Sequence, residues 1–187
     1  MDILPANGTV NMSGAVVLAN AIKESGVCTP IAAIGSHVSA LPKEILKAEP
    51  ALDIAFCNEG VYALRNLLAS KVEEPGSWKG INGIGHRVDG EVVLNAPERI
   101  VPQDRMDIDL PGYAWDLLPY RHQPLDLYRS HFWHAGYDHS KRTPFAAVYT
   151  SLGCTFRCNF CMINILNRND TEEVGIAGNY ATMRFWS

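Results

Sequence analysis

Cys154, Cys158 and Cys161 lie within Cys154-Thr155-Phe156-Arg157-Cys158-Asn159-Phe160-Cys161, a C-x3-C-x2-C spacing. Thiolates this close together suit one shared metal centre better than disulfide bridges. Soft sulfur ligands favour iron–sulfur clusters, which take about one thiolate per iron, so three of them hold three irons of a 4Fe-4S cube and leave the fourth open. An open iron is a Lewis acid able to chelate an amino-carboxylate. The alternatives are a zinc knuckle completed by a histidine or by Cys57, and three unrelated buried cysteines. Zinc sites are usually built from two cysteine pairs, and this sequence has no second pair.

A second group of candidates follows two predicted strands. Gly35-Ser36-His37 and Asn58-Glu59-Gly60 stand where ligands bind in open α/β sheets, beyond the carboxyl ends of the strands. Glycine lets a large planar ligand approach the backbone, and Ser36, Ser39, His37 and Glu59 carry groups able to hydrogen-bond its amides. The plainer reading makes both segments ordinary strand-to-helix loops. His131-Phe132-Trp133-His134, with His139 beyond, offers histidines at metal-ligand spacing, but only Asp138 supplies an acid nearby. The interleaved aromatics fit a packed linker better than a metal site.

The elements that must position these residues alternate between helix and strand. Ala15, Val16, Leu18, Ala19 and Ile22 predict an amphipathic helix from Gly14 that stops at Ser25-Gly26. Pro30–Gly35 reads as a short buried strand, and Pro42 opens a helix that ends at Glu49-Pro50. Leu52–Cys57 is the next strand, and a helix from Val61 to Ser70 should bury Leu64, Leu67 and Leu68. This order implies a parallel sheet with helices on its faces. Ile84–Val88, the turn Asp89-Gly90 and Glu91–Asn95 predict a two-residue-loop hairpin that closes the first domain. Pro97, Pro102, Pro111, Pro119 and Pro124 then mark an ordered connector, before the strand pattern Phe145–Thr150 runs into the cysteine loop.

Composition narrows the function classes. The 187 residues carry 16 basic and 20 acidic side chains, a net charge of −4 that argues against a dedicated nucleic-acid binder. Apolar residues make up 47%, ample for a packed core, so global disorder is excluded. No apolar run approaches the roughly 18 residues of a membrane span, and Met1-Asp2-Ile3-Leu4-Pro5 has no export-signal pattern. Five cysteines, an odd number, point to a reducing cytoplasm. Charge is uneven: residues 119–169 hold 6 basic and 2 acidic side chains, the cysteine cluster and four of the six histidines.

Taken in order, these motifs resemble a known family. C-x3-C-x2-C with an aromatic residue before the last cysteine, at the end of a strand, resembles the signature of radical S-adenosylmethionine (SAM) enzymes. Upstream, Gly35-Ser36-His37, Ala40-Leu41-Pro42-Lys43-Glu44-Ile45-Leu46, Asn58-Glu59-Gly60, the hairpin and Leu110-Pro111-Gly112-Tyr113-Ala114-Trp115-Asp116-Leu117-Leu118 resemble the cobalamin-dependent subfamily, from about residue 12 to 187. The resemblance implies that Cys154, Cys158 and Cys161 ligate the 4Fe-4S cluster. Phe160 would pack beside the cluster and the adenine of SAM. It further implies a 5′-deoxyadenosyl radical, methyl transfer through cobalamin, an unknown substrate, and an electron donor such as flavodoxin or ferredoxin. Two features depart from the pattern: only 12 or so residues precede the first helix, and no D-x-H-x-x-G stretch supplies a lower axial histidine.

The expected fold class is therefore α/β. Residues 1–96 form a partial doubly wound, cobalamin-binding-like domain with its hairpin, 97–143 a proline-rich linker, and 144–187 the start of a radical SAM barrel with its cluster loop. Only 26 residues follow Cys161, so a truncated and by itself inactive enzyme is expected. The rival reading is a non-catalytic iron–sulfur or zinc module in electron transfer or assembly.

Overall fold

In the central strands of the sheet successive side chains face opposite ways, and both faces find helices to cover them. The computed structural model describes residues 2–5 and 9–110, and beyond them 112, 114–117, 119, 122, 151–152, 160 and 181–182. The elements are β1 (Asp2–Pro5), α1 (Thr9–Glu24), β2 (Ile31–Ile34), α2 (Ser36–Ala40), α3 (Pro42–Ala48), β3 (Ile54–Phe56), α4 (Val61–Leu68), β4 (Ile84–Val88), β5 (Glu91–Leu94) and α5 (Met106–Asp109). Among the described residues, β1 to β5 form one sheet in that order.

β1, β2 and β3 are parallel, whereas β4 pairs antiparallel with β3 and β5 with β4. Ile31 and Ala33 of β2 and Ala55 of β3 pack with Met12, Ala15 and Ala19 of α1, Val38 of α2 and Ile45 and Leu46 of α3. On the opposite face Ala32, Ile54, Phe56 and Ile84 pack with Ala63 and Leu67 of α4, Trp78 and Ile81. Alanines at the middle of β2 and β3 allow the helices close to the sheet. The larger side chains beside them supply the burial energy, about 1.5–3 kcal/mol for each fully buried Leu, Ile or Phe.

Several expectations need correction. A strand, β1, precedes the first helix, and α1 begins at Thr9 instead of Gly14. Asp2–Pro5 is only four residues long and ends in proline, so it does not announce itself; its pairing with Ile31–Ile34 makes it a strand, at the edge of the described sheet where Pro5 costs little. The doubly wound reversal is not present among the described strands, whose order runs straight through. The Asp89-Gly90 turn, with φ of 51° and 86°, sends β5 back alongside β4 and extends the sheet antiparallel. Leu68 is exposed, because the inward stripe of α4 runs through Ala63 and Leu67, and Leu68 lies about 100° round the helix from Leu67.

The proposed barrel strand Phe145–Thr150 lies outside the described residues. Ser151–Leu152 (β6) pairs antiparallel with Ala181–Thr182 (β7), where neighbouring strands of a β/α barrel would be parallel. No helix among the described residues is long and apolar enough to cross a membrane.

Candidate functional site at the carboxyl edge of the sheet

β2 and β3 are neighbours, so the segments that follow them stand side by side. Gly35, buried, adopts φ 138° and ψ −179° and immediately precedes α2. Ser36 and His37 are therefore the first residues of a short helix and not part of an open loop. Ser36 is buried and His37 half-buried. Ser39 Oγ donates to Asn58 O at 3.3 Å, which links the two segments. Asn58 (φ 64°) and Gly60 (φ 73°) both take the left-handed conformation, turning the chain from β3 into α4. At Gly60 a Cβ would stand 2.6 Å from Ile34 Cδ1, so glycine is required by packing against β2 as well as by its φ.

Glu59, between these two positions, has a partner inside the chain. Its Oε1 accepts a hydrogen bond from the Val101 backbone N–H. Burial raises the Glu59 carboxyl above its ordinary pKa, against the opposing pull of that N–H. Cys57 is pushed up to about 11 by burial, so it is a neutral thiol at neutral pH and a poor metal ligand as it stands.

Val101 reaches Glu59 because of the antiparallel hairpin. β4 starts opposite the end of β3, at the pair Phe56 and Ile84, and β5 returns the chain to that same edge. The connector then runs along α4. Gly83 N–H donates to Ala96 O at 2.7 Å, and Asn66 Nδ2 donates to Glu98 Oε2 at 3.1 Å. Val101 and Met106 pack with Tyr62, all three nearly fully buried. Tyr62 donates its hydroxyl to Asp109 Oδ2 at 2.6 Å, and Arg105 Nε reaches the same oxygen at 3.2 Å. The Tyr62 hydroxyl and then Arg105 hold the Asp109 carboxyl below its usual range. Arg65 and Arg99 lie over the Tyr62 ring, 4.4 and 5.0 Å from its centroid.

Two further polar networks brace the sheet under the site. Arg87, on β4, donates to the backbone oxygens of Leu46 and Glu49 at the carbonyl end of α3 and of Leu52 just before β3. His86, facing the other way, lies edge-on to Trp78 with its Nε2 3.3 Å from Asn95 Oδ1. Asn95 Nδ2 already donates to Trp78 O and Ile81 O, so Oδ1 is the acceptor and His86 Nε2 carries the proton. His86 Nδ1 is then buried with no hydrogen-bond partner among the described residues.

The structure thus brings together Gly35, Ser36, His37, Glu59 and Gly60. Phe160 is 87% exposed, while Cys154, Cys158, Cys161 and the histidine run 131–139 lie outside the described residues. Sequence reasoning missed Val101, Tyr62 and Asp109. Tyr62 and Asp109 are 47 positions apart, and neither carries a local pattern that pairs them.

No protein-family model matches the chain. Over 127 residues, 68% of its length, the chain is 31% identical to a protein of Pyrococcus horikoshii described as an uncharacterized methyltransferase. The matched stretch is 24% of that protein, so the chain spans about a quarter of the length of the relative it matches.

Proposed function

We propose that this chain is part of a cobalamin-dependent radical SAM methyltransferase. The observation that carries the reading is the C-x3-C-x2-C spacing in a chain 31% identical over 127 residues to a protein described as a methyltransferase. The relative supports methyl transfer, and the order of the motifs supports the finer assignment. The corrinoid part of the reading is supported by the two turns that follow β2 and β3, each built on a glycine with positive φ, Gly35 and Gly60. Ser36 and His37 add polar groups beside them.

Bound together, a 4Fe-4S cluster, SAM and cobalamin would supply reductive cleavage of SAM and carriage of a methyl group. The residues of the chain hold and orient. Cys154, Cys158 and Cys161 would ligate three irons. Phe160, next to the last of them, would offer its exposed ring to the adenine of SAM. Gly35, Ser36, His37 and Gly60 would face the corrin. An electron donor such as flavodoxin or ferredoxin would serve the cluster, and the acceptor of the methyl group would be a small molecule or another substrate.

Anaerobic reconstitution with iron and sulfide tests the assignment. About four irons per chain are expected, as a 4Fe-4S cluster requires. Cys154→Ala, Cys158→Ala and Cys161→Ala should each abolish the cluster, while Cys28→Ala and Cys57→Ala should keep it. Stoichiometric zinc with no uptake of iron would refute the reading.

A further inference from the structure

Glu59 stands at the carboxyl edge, where a carboxylate is expected to meet a ligand directly. Its geometry directs it elsewhere. The accepting oxygen is committed to the Val101 N–H, in a segment whose Ile100 and Val101 side chains are each 3% exposed. Four other contacts fasten the same segment: Gly83 to Ala96, Asn66 to Glu98, Arg99 over Tyr62, and Tyr62 to Asp109. Every one of them lies on α4 or on the turn into β4, next to the carboxyl end of β3. The hairpin topology brings the connector to this edge, and Glu59 is the contact nearest the ends of β2 and β3.

We propose that Glu59 is a positioning residue, a clasp that holds the segment from Ala96 to Asp109 as a strap forming the third wall of the site at the carboxyl edge. In sequence the strap is the first part of the connector that precedes the cysteine cluster. Its role as a wall rests on the corrinoid reading of the site for its ligand, while the clasp itself rests only on contacts within the chain. A gain in ligand affinity from such a wall comes from ordering the strap before the ligand arrives.

The two roles for Glu59 separate on its substitutions. Gln keeps an oxygen that accepts from the Val101 N–H and loses the charge; Ala loses both. Two measurements on the 187-residue chain decide between them: amide hydrogen exchange across residues 98–110, and binding of hydroxocobalamin followed by its absorbance. Glu59→Ala should speed exchange at the Val101 amide at least about tenfold and weaken hydroxocobalamin about tenfold, whereas Glu59→Gln should leave both near wild type. Hydroxocobalamin should slow strap exchange further in the wild-type chain and in Glu59→Gln.

Equal loss of binding in Gln and Ala would make Glu59 a direct charged contact and overturn the proposal. Faster exchange in Glu59→Ala with unchanged binding would remove the strap from the site and overturn it too. If the wild-type chain binds no hydroxocobalamin, the corrinoid reading fails; the clasp then stands on faster exchange in Glu59→Ala alone and falls if exchange is unchanged.

Discussion

Gly60→Ala should destabilise the first sheet by two separable effects. The first is conformational: φ 73° and ψ −1° lie in the left-handed region, which costs a residue with a Cβ roughly 1–2 kcal/mol. The second is steric. The new Cβ would meet Ile34 Cδ1 at 2.6 Å and Phe56 Cβ at 3.4 Å, and only the Ile34 contact is too short to tolerate. Ile34 is half-buried against the α4 face of the sheet, so its side chain can move only at the expense of packing. Moving it should cost about 1 kcal/mol more, the scale of an overpacked core. The expected loss is about 2–3 kcal/mol in urea unfolding followed by circular dichroism. Ile34→Val removes Cδ1 and should itself cost about 0.5–1.5 kcal/mol. In the double variant the clash disappears while the conformational cost remains, so the two losses should add to about 1 kcal/mol less than their sum. A Gly60→Ala loss below about 0.5 kcal/mol would refute the left-handed conformation, given its expected cost. Strict additivity with Ile34→Val would refute the steric part.

Arg87→Met should cost about 2–4 kcal/mol, because three backbone oxygens, two at the end of α3 and one before β3, lose a charged donor; Arg87→Lys should recover part of that in the same unfolding assay. For Glu59 the sign follows from a carboxyl raised in the folded state. Its contribution is fully present below the unfolded value and is lost as pH rises through the folded one. Glu59→Gln should therefore gain on the wild type between pH 4 and pH 8 in urea midpoint, and a shift in the other direction would show that the Val101 hydrogen bond outweighs burial. Tyr62→Phe leaves the ring packed but removes the Asp109 bond, so hydrogen exchange should quicken at residues 105–110 and stay unchanged across α1 and β2. The 187-residue chain, spanning about a quarter of its methyltransferase relative, should produce no 5′-deoxyadenosine from SAM over multiple turnovers with dithionite; sustained turnover would show that the chain needs no further part.

The features legible in the sequence are those settled by neighbours along the chain. Asp89-Gly90 specifies its own turn and Pro42 opens α3, since each needs only local geometry, whereas the spacing of α4 located the helix and Leu67 but not the face, which leaves Leu68 exposed. The alternation of short apolar strands with helices already gave the α/β class and placed Gly35 and Gly60 at one sheet edge. The C-x3-C-x2-C spacing is complete within eight residues, but its three cysteines lie outside the described residues.

The long-range contacts were settled only by the fold. β1 exists because β2 offers it a partner. The straight order of the strands depends on β4 turning back against β3, and Arg87 finds three carbonyl groups 35 to 41 positions away. Glu59 carries the sharpest case. Its place after a strand suggested a ligand contact, yet its partner is a backbone N–H 42 residues on, delivered by the return of β5. A side chain's partner depends on which segments the sheet topology brings together, and no periodicity along the chain encodes that meeting.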